Sequence, residues 1–168
     1  GHQAILEKIK NNAQKYNAKT IVFFTEPHAA EYFSKVRDKN QIPPPRICPW
    51  REKFQLLKKS KIDFACFLKF NSKLRTMSPD DFISQILDSI NLVSFTVGDD
   101  FRFGAGRKGD TDLLKNWGEK KGILVENTET ITLDGQRVSS TRIREELLNN
   151  NFNNAETVSY THLRAHET

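Results

Sequence analysis

The chain has 168 residues, with 26 Lys and Arg against 21 Asp and Glu for a formal charge of +5, and 37% of its residues are hydrophobic. That is the length of one domain, and about two thirds of the unfolded surface can be buried at this size, so a core forms without disulfide or metal staples. Its longest apolar runs, residues 21–24 and 64–68, fall far short of a membrane span, and its two cysteines, Cys48 and Cys66, have neither a disulfide framework nor zinc-ligand spacing.

These features read as a soluble cytoplasmic protein with no membrane partner. The lysines are scattered along helical stretches (Lys8, Lys10, Lys15; Lys53, Lys58, Lys59) rather than massed, so solvated helix faces account for most of them. No RRM, KH or zinc-knuckle pattern points to nucleic acid.

A helix is expected almost from the first residue, with Ile5, Leu6 and Ile9 at helical spacing. Thr20 to Thr25 is a β-branched and aromatic strand closed by Glu26-Pro27, and the stretch through Pro43-Pro44-Pro45 is expected to be an irregular loop beside the site. Pro49 opens a helix with Phe54, Leu56 and Leu57 on its apolar stripe, and residues 62–70 form the next strand. Ser78-Pro79-Asp80-Asp81 carries three helix-start signals, a Ser cap, Pro in the first turn and early acids, with Phe82, Ile83, Ile86, Leu87 and Ile90 as the buried face. A strand at 92–97, a glycine-rich stretch, a helix at 110–121, a strand from Ile123, a turn at 133–136 and a helix at 141–149 complete the order. Strands spaced by helical crossovers predict an α/β fold, an open, Rossmann-like parallel sheet with helices on both faces. The last residues, 158–168, resemble translated adaptor sequence and are set apart from a domain over 1–157, which excludes His162 and His166 as candidates.

In such sheets ligands bind at the carboxyl ends of the strands, over helix N-termini. Three places have the chemistry. Val138-Ser139-Ser140-Thr141-Arg142-Ile143-Arg144 is a turn running into a helix; two arginines in its first turn oppose the helix dipole unless an anion binds there, and exposed amides, hydroxyls and a guanidinium all donate to phosphate oxygens. Four of the eight glycines, Gly98, Gly104, Gly106 and Gly109, fall between 98 and 109, interleaved with Asp99, Asp100, Phe101, Arg102 and Phe103. That loop offers stacking faces, hydroxyl acceptors and phosphate donors without the Walker A spacing. Gly1-His2 stands at the mouth of the first helix, where an imidazole donates to a transferring phosphoryl group.

Together these segments resemble the adenylyltransferase module of bacterial FAD synthetase, in the nucleotidylyltransferase superfamily marked by His-x-Gly-His. Gly1-His2 matches the end of that motif. Phe24-Thr-Glu-Pro27-His28 is similar to the family's Phe-x-Pro-His-Pro, with Ala29 where the second proline is usual, Gly98-Asp-Asp-Phe-Arg-Phe-Gly104 to its Gly-x-Asp-Phe-x-Phe-Gly loop, and Ser139-Ser-Thr-Arg-Ile-Arg144 to its Ser-Ser-Thr-x-x-Arg motif. The resemblance covers about residues 1–157. It implies transfer of AMP from MgATP to FMN, giving FAD and pyrophosphate without a covalent enzyme intermediate. His2, Ser140, Thr141 and Arg144 would then be catalytic, and Gly1, His2, Ser139, Ser140, Thr141, Arg144 and Asp100 would bind ATP. Phe24, Pro27, His28, Asp99, Asp100, Phe101, Arg102 and Phe103 would border the flavin. Mg2+ would bridge phosphates with few protein ligands, so no protein metal site is expected.

The resemblance also implies a fused riboflavin kinase domain that this sequence does not encode. The strand carrying the motif's first histidine is expected to be missing, leaving two unpaired sheet edges. Three other readings stand beside this one: an adenylyl- or cytidylyltransferase of the same superfamily acting on a different phosphate, an inactive fragment, and an RNA-binding basic module without turnover.

Overall fold

The computed structural model describes residues 2–37, 42–43 and 45–164, with the side chains of residues 2, 3, 50 and 159–164 outside that description. Helix α1 (His2–Lys15) leads into strand β1 (Ile21–Glu26), as its periodicity predicts. Strand β2 (Phe64–Lys69) pairs parallel with β1 from Ile21↔Phe64 to Glu26↔Lys69. The register is pinned at its start, where the Thr20 backbone and hydroxyl donate to Asp63 Oδ2 at 2.9 and 2.8 Å and the Asp63 amide donates back to the Thr20 hydroxyl at 2.8 Å.

Part of the expected loop between these strands is a helix, α2 (Ala29–Arg37). The prolines dominate a reading of the sequence, yet Ala29-Ala30-Glu31 are helix formers with an acid in the first turn, and tertiary packing does the rest. Tyr32 and Phe33 set their rings edge-on to Phe70 at 5.3 and 5.9 Å. Helix α3 (Trp50–Lys59) then starts after Pro49, as expected.

Short helix α4 (Ser72–Thr76) precedes α5 (Pro79–Phe82), where the Ser78 hydroxyl accepts from the Asp81 amide, and α5 continues as a π-helical turn over Ile83–Leu87. Strand β3 (Ser94–Gly98) pairs parallel with β4 (Leu124–Thr128) from Ser94↔Leu124 to Gly98↔Thr128. Between them α6 (Thr111–Lys121) begins on an Asp110 cap and ends on Gly122 at φ 69°, a left-handed stop that glycine takes without strain. Ile83, Leu87, Val97, Phe103, Leu114 and Trp117 form the core between these elements.

The fold is α/β with parallel strands and flanking helices. Among the described residues, however, the parallel strands form two pairs, β1–β2 and β3–β4, not one continuous sheet. Helix α1 packs on β3 and reaches the neighbouring β4, where Lys8 pairs with Glu126 at 3.2 Å and the Asn12 amide donates to the same carboxylate at 2.7 Å. A two-residue hairpin, β5 (Thr132–Leu133) and β6 (Gln136–Arg137), flanks the predicted turn. It leads into α7 (Ser140–Leu148) and α8 (Phe152–Arg164). The backbone of α8 runs past the expected break at residue 158, and Val158 itself is buried.

Candidate functional site

Two groups of residues gather at the carboxyl ends of β1 and β3. At the end of β1, Phe24 stacks on Phe67 with centroids 5.6 Å apart, and the Lys53 ammonium lies 5.2 Å from the Phe24 centroid. The chain then turns at Pro27 into α2. The His28 backbone amide donates to Glu31 Oε2 at 3.3 Å, and the ring Nδ1 accepts from the Ala30 amide at 3.3 Å. A neutral imidazole accepting at Nδ1 carries its proton on Nε2, so the second nitrogen is a donor.

Glu31 and Glu26, neither of which stands out in the sequence, are both held by Arg46. Its Nη1 and Nη2 donate to Glu26 at 3.1 and 2.7 Å, and its Nε and Nη2 donate to Glu31, the latter at 2.6 Å. The Arg46 hydrogen bond holds the Glu31 carboxyl below its ordinary range. Arg46 has no motif around it, only prolines and Ile47, so nothing in the sequence singles it out.

At the end of β3, Asp99 and Asp100 are exposed and engaged by a residue that the sequence reading passed over. Arg137, on β6, pairs with Asp100 at 2.9 Å and with Asp99 at 3.3 Å, and the Thr130 hydroxyl also donates to Asp99. The signal that could have found Arg137 is the Asp134-Gly135 turn. Asp134 at φ 53° and Gly135 at φ 72° give both central positions the positive φ of a tight hairpin, which returns the chain toward β3.

Phe101 and Phe103 stack at 5.8 Å, but they differ in burial. Phe103, expected at the flavin, is a core residue at 6% exposure, tilted against Phe82 at 5.2 Å and bridged to Gly109. Its apolar neighbours bury it, and what it offers the loop is support for the partly buried Phe101 ring. Arg102 is exposed and bonds the Phe101 carbonyl at 2.8 Å. The glycines here answer to space: a Cβ on Gly104, which stands at φ 72°, would meet Pro79 at 2.8 Å, and one on Gly109 would meet the Phe103 ring at 2.7 Å.

The third segment behaves in part as expected. Ser139 caps α7 by accepting from the Arg142 amide at 3.2 Å, leaving Ser140 and Thr141 exposed in the first turn. The expectation that both arginines of that turn await an anion needs correcting for Arg142. Its Nη1 turns back onto the hairpin carbonyls of Leu133 and Gln136 at 3.0 and 3.4 Å, so carbonyl dipoles accept from it. Arg144 donates through Nε to the Pro45 carbonyl at 2.9 Å. That bond joins α7 to the loop that holds the end of β1. Gly1 lies outside the described residues, as does the His2 side chain; the His2 backbone opens α1. Among the described residues no three His, Cys, Asp or Glu side chains gather as a metal cluster, and no helix is long and apolar enough to cross a membrane.

A family model for FAD synthetase matches residues 1–142. Among curated relatives, the bifunctional riboflavin kinase/FMN adenylyltransferase of Escherichia coli (strain K12) is 35% identical over 159 residues, covering 94% of this chain and 49% of the relative. The protein of the same description from Pseudomonas fluorescens is 36% identical over 157 residues, covering 93% of this chain and 49% of its own length. The chain therefore spans about half the length of the curated relatives it matches. A solved structure from Streptococcus pneumoniae, described as a macrolide-efflux protein, superposes with a TM-score of 0.77 at 22% identity, covering 94% of this chain and 58% of that one. At that identity the likeness speaks to the fold alone. The match of the family model over most of the chain, with the fold and the three motif segments at its strand ends, establishes that the chain belongs to the FAD synthetase family.

Proposed function

We propose that this chain is an FMN adenylyltransferase, transferring AMP from MgATP to FMN to give FAD and pyrophosphate. A phosphate oxygen of FMN attacks the α-phosphorus of ATP, forming a new P–O bond, and the bond from that phosphorus to the bridging oxygen breaks as pyrophosphate leaves. The step needs alignment and charge stabilisation, not an enzyme nucleophile.

The observation that carries this reading is the arrangement around Arg137. It ties the Asp99-Asp100 loop at the end of β3 to the hairpin that delivers the Ser139-capped start of α7. On this reading Ser139, Ser140, Thr141 and Arg144 hold the ATP phosphates, with helix amides and hydroxyls donating to their oxygens. His2 and Gly1 border the α-phosphate, and His2 stabilises its developing charge. Asp99, Asp100, Phe101 and Arg102 contact nucleotide and flavin, and Phe24, Pro27 and His28 border the isoalloxazine. Arg137 is added to this set. Phe103 acts from behind, through Phe101.

MgATP is the substrate on this reading, so the ion would come with the triphosphate and offset part of its charge. Such an ion would take its oxygens from phosphate and water. The reading also places the working domain at residues 1–157, treats 158–168 as an appended tail, and expects a cytoplasmic protein joined in its full-length form to a riboflavin kinase domain.

The test is FAD formation from FMN, ATP and Mg2+, followed by chromatography with pyrophosphate detection and with riboflavin in place of FMN as the control. FAD from FMN but not from riboflavin supports the reading. Absence of FAD from the folded chain counts against it.

A further inference from the structure

The end of β1 and the start of α7 belong to different parts of the fold, and they meet through one short stretch of loop. Arg46 uses three nitrogens on two carboxylates, taking Glu26 at the last position of β1 and Glu31 in the first turn of α2. Glu31 in turn receives the His28 amide. One residue earlier, the Pro45 carbonyl receives Arg144 Nε.

We propose that Arg46 is a positioning residue for adenylyl transfer: it locks the Glu26-Pro27-His28 corner and the loop carbonyl that holds Arg144 into one fixed relation. The proposal rests on the FMN adenylyltransferase reading, and it deepens it by naming what sets the flavin border and the phosphate helix in mutual register. A fork-shaped guanidinium suits this task because its donors are rigidly spaced and match two carboxylates at once, which an ammonium cannot do. The Arg46 side chain is 35% exposed, Glu26 50% and Glu31 15%, so the Glu26 pair contributes little to stability and only the Glu31 pair is partly shielded from water. Its effect therefore lies in geometry: in-line transfer between two bound phosphates is sensitive to displacements of about 1 Å, which can cost on the order of a hundredfold in rate.

The two roles separate in a kinetic and binding comparison of the unaltered chain with Arg46→Gln and Arg46→Lys. FMN binding is read by quenching of its own fluorescence, MgATP binding by calorimetry, and FAD formation at steady state. Arg46→Gln is expected to weaken both ligands and to lower kcat, with kcat/KM down on the order of tenfold or more for each substrate and little change in melting temperature. Arg46→Lys keeps the charge, loses the fork, and is expected to stay close to the Gln variant. Should Arg46→Gln melt early, Arg46→Lys carries the same test.

A loss confined to FMN, or values within about twofold of the unaltered chain for both substrates, overturns the proposal while leaving the function reading intact. So does full recovery by lysine, which would make charge sufficient. If the unaltered, folded chain binds neither FMN nor MgATP, the function reading fails and this proposal falls with it.

Discussion

Arg137 Nη2 stands 2.9 Å from Asp100 Oδ2, joining a two-residue strand to the loop that follows β3. The pair is exposed, so its stabilising value is small; its consequence is placement. Arg137 can reach the acids only while the hairpin is folded, and two residue pairs are too few to hold a hairpin on their own. What braces it is Arg142, whose Nη1 donates to the carbonyls of Leu133 and Gln136 at either side of the turn. The first turn of α7 thus organises the hairpin, and the hairpin organises the loop.

Replacing Arg142 by Ala should therefore act on Arg137 at a distance. We expect a stability loss of about 1–2 kcal/mol, from the lost charge-assisted hydrogen bonds. Alongside it, FAD formation should fall on the order of tenfold in kcat/KM as the hairpin loosens. Arg137→Gln should give a comparable kinetic loss with almost no change in denaturation midpoint. Equal and large stability losses in both variants, by urea titration, would contradict this division of labour.

Gly104 is restricted twice over, by its φ of 72° and by a Cβ that would stand 2.8 Å from Pro79, whereas Gly135 shares the φ of 72° but has nothing within 4 Å of its Cβ. The left-handed conformation costs a non-glycine residue about 1–2 kcal/mol. Gly135→Ala should therefore lose about that much, and Gly104→Ala clearly more, because the Ser78-Pro79 helix start must shift as well. Chemical denaturation of the pair reads the difference. Equal losses would mean that the Pro79 contact relaxes at no cost.

How legible this molecule was in its sequence varied from element to element. The Ser78 cap and the Ser139 start of α7 were readable because a cap is a local signal, one side chain and an amide three residues on. The strand β1 was readable from its β-branched and aromatic run. Helix α2 was not, since its stability comes from Tyr32 and Phe33 meeting Phe70, a contact that no window of sequence contains. The same applies to the site. Asp99, Asp100 and Ser139 lie in recognisable motifs, while Arg46 and Arg137 matter through partners 15 to 38 residues away. Phe103 lies in a recognisable motif as well, but its burial among apolar neighbours is a feature that the motif does not announce.

Leu114 lies at 0% exposure in that core, beside Trp117, whose indole donates to Asp88 at 3.1 Å. Truncation to Ala removes three heavy atoms from a site walled by Ile83, Leu87, Val97 and Phe103, which can collapse only in part. A loss of about 2–5 kcal/mol is expected, within the range for large-to-small core changes. Because Phe103 supports Phe101, the same cavity should weaken FMN binding under native conditions. A variant with full stability would show that the core repacks around the gap.

Asp63 makes the stability of the β1–β2 pair depend on acid. The Thr20 amide and hydroxyl, with Lys19 at 3.2 Å, hold its carboxyl at about 2, below the ordinary 3.8. A group whose pKa is depressed by folding contributes its full stabilisation above the unfolded value and loses it as pH falls through the folded one. The Asp63 contribution should thus be constant at neutral pH and decline between about 4 and 2. Asp63→Asn retains the shape and one acceptor oxygen but does not titrate. It should lower the urea midpoint at pH 7 and flatten the slope of midpoint against pH across that window. An unchanged slope in the Asn variant would assign the acid sensitivity of the fold to other carboxylates.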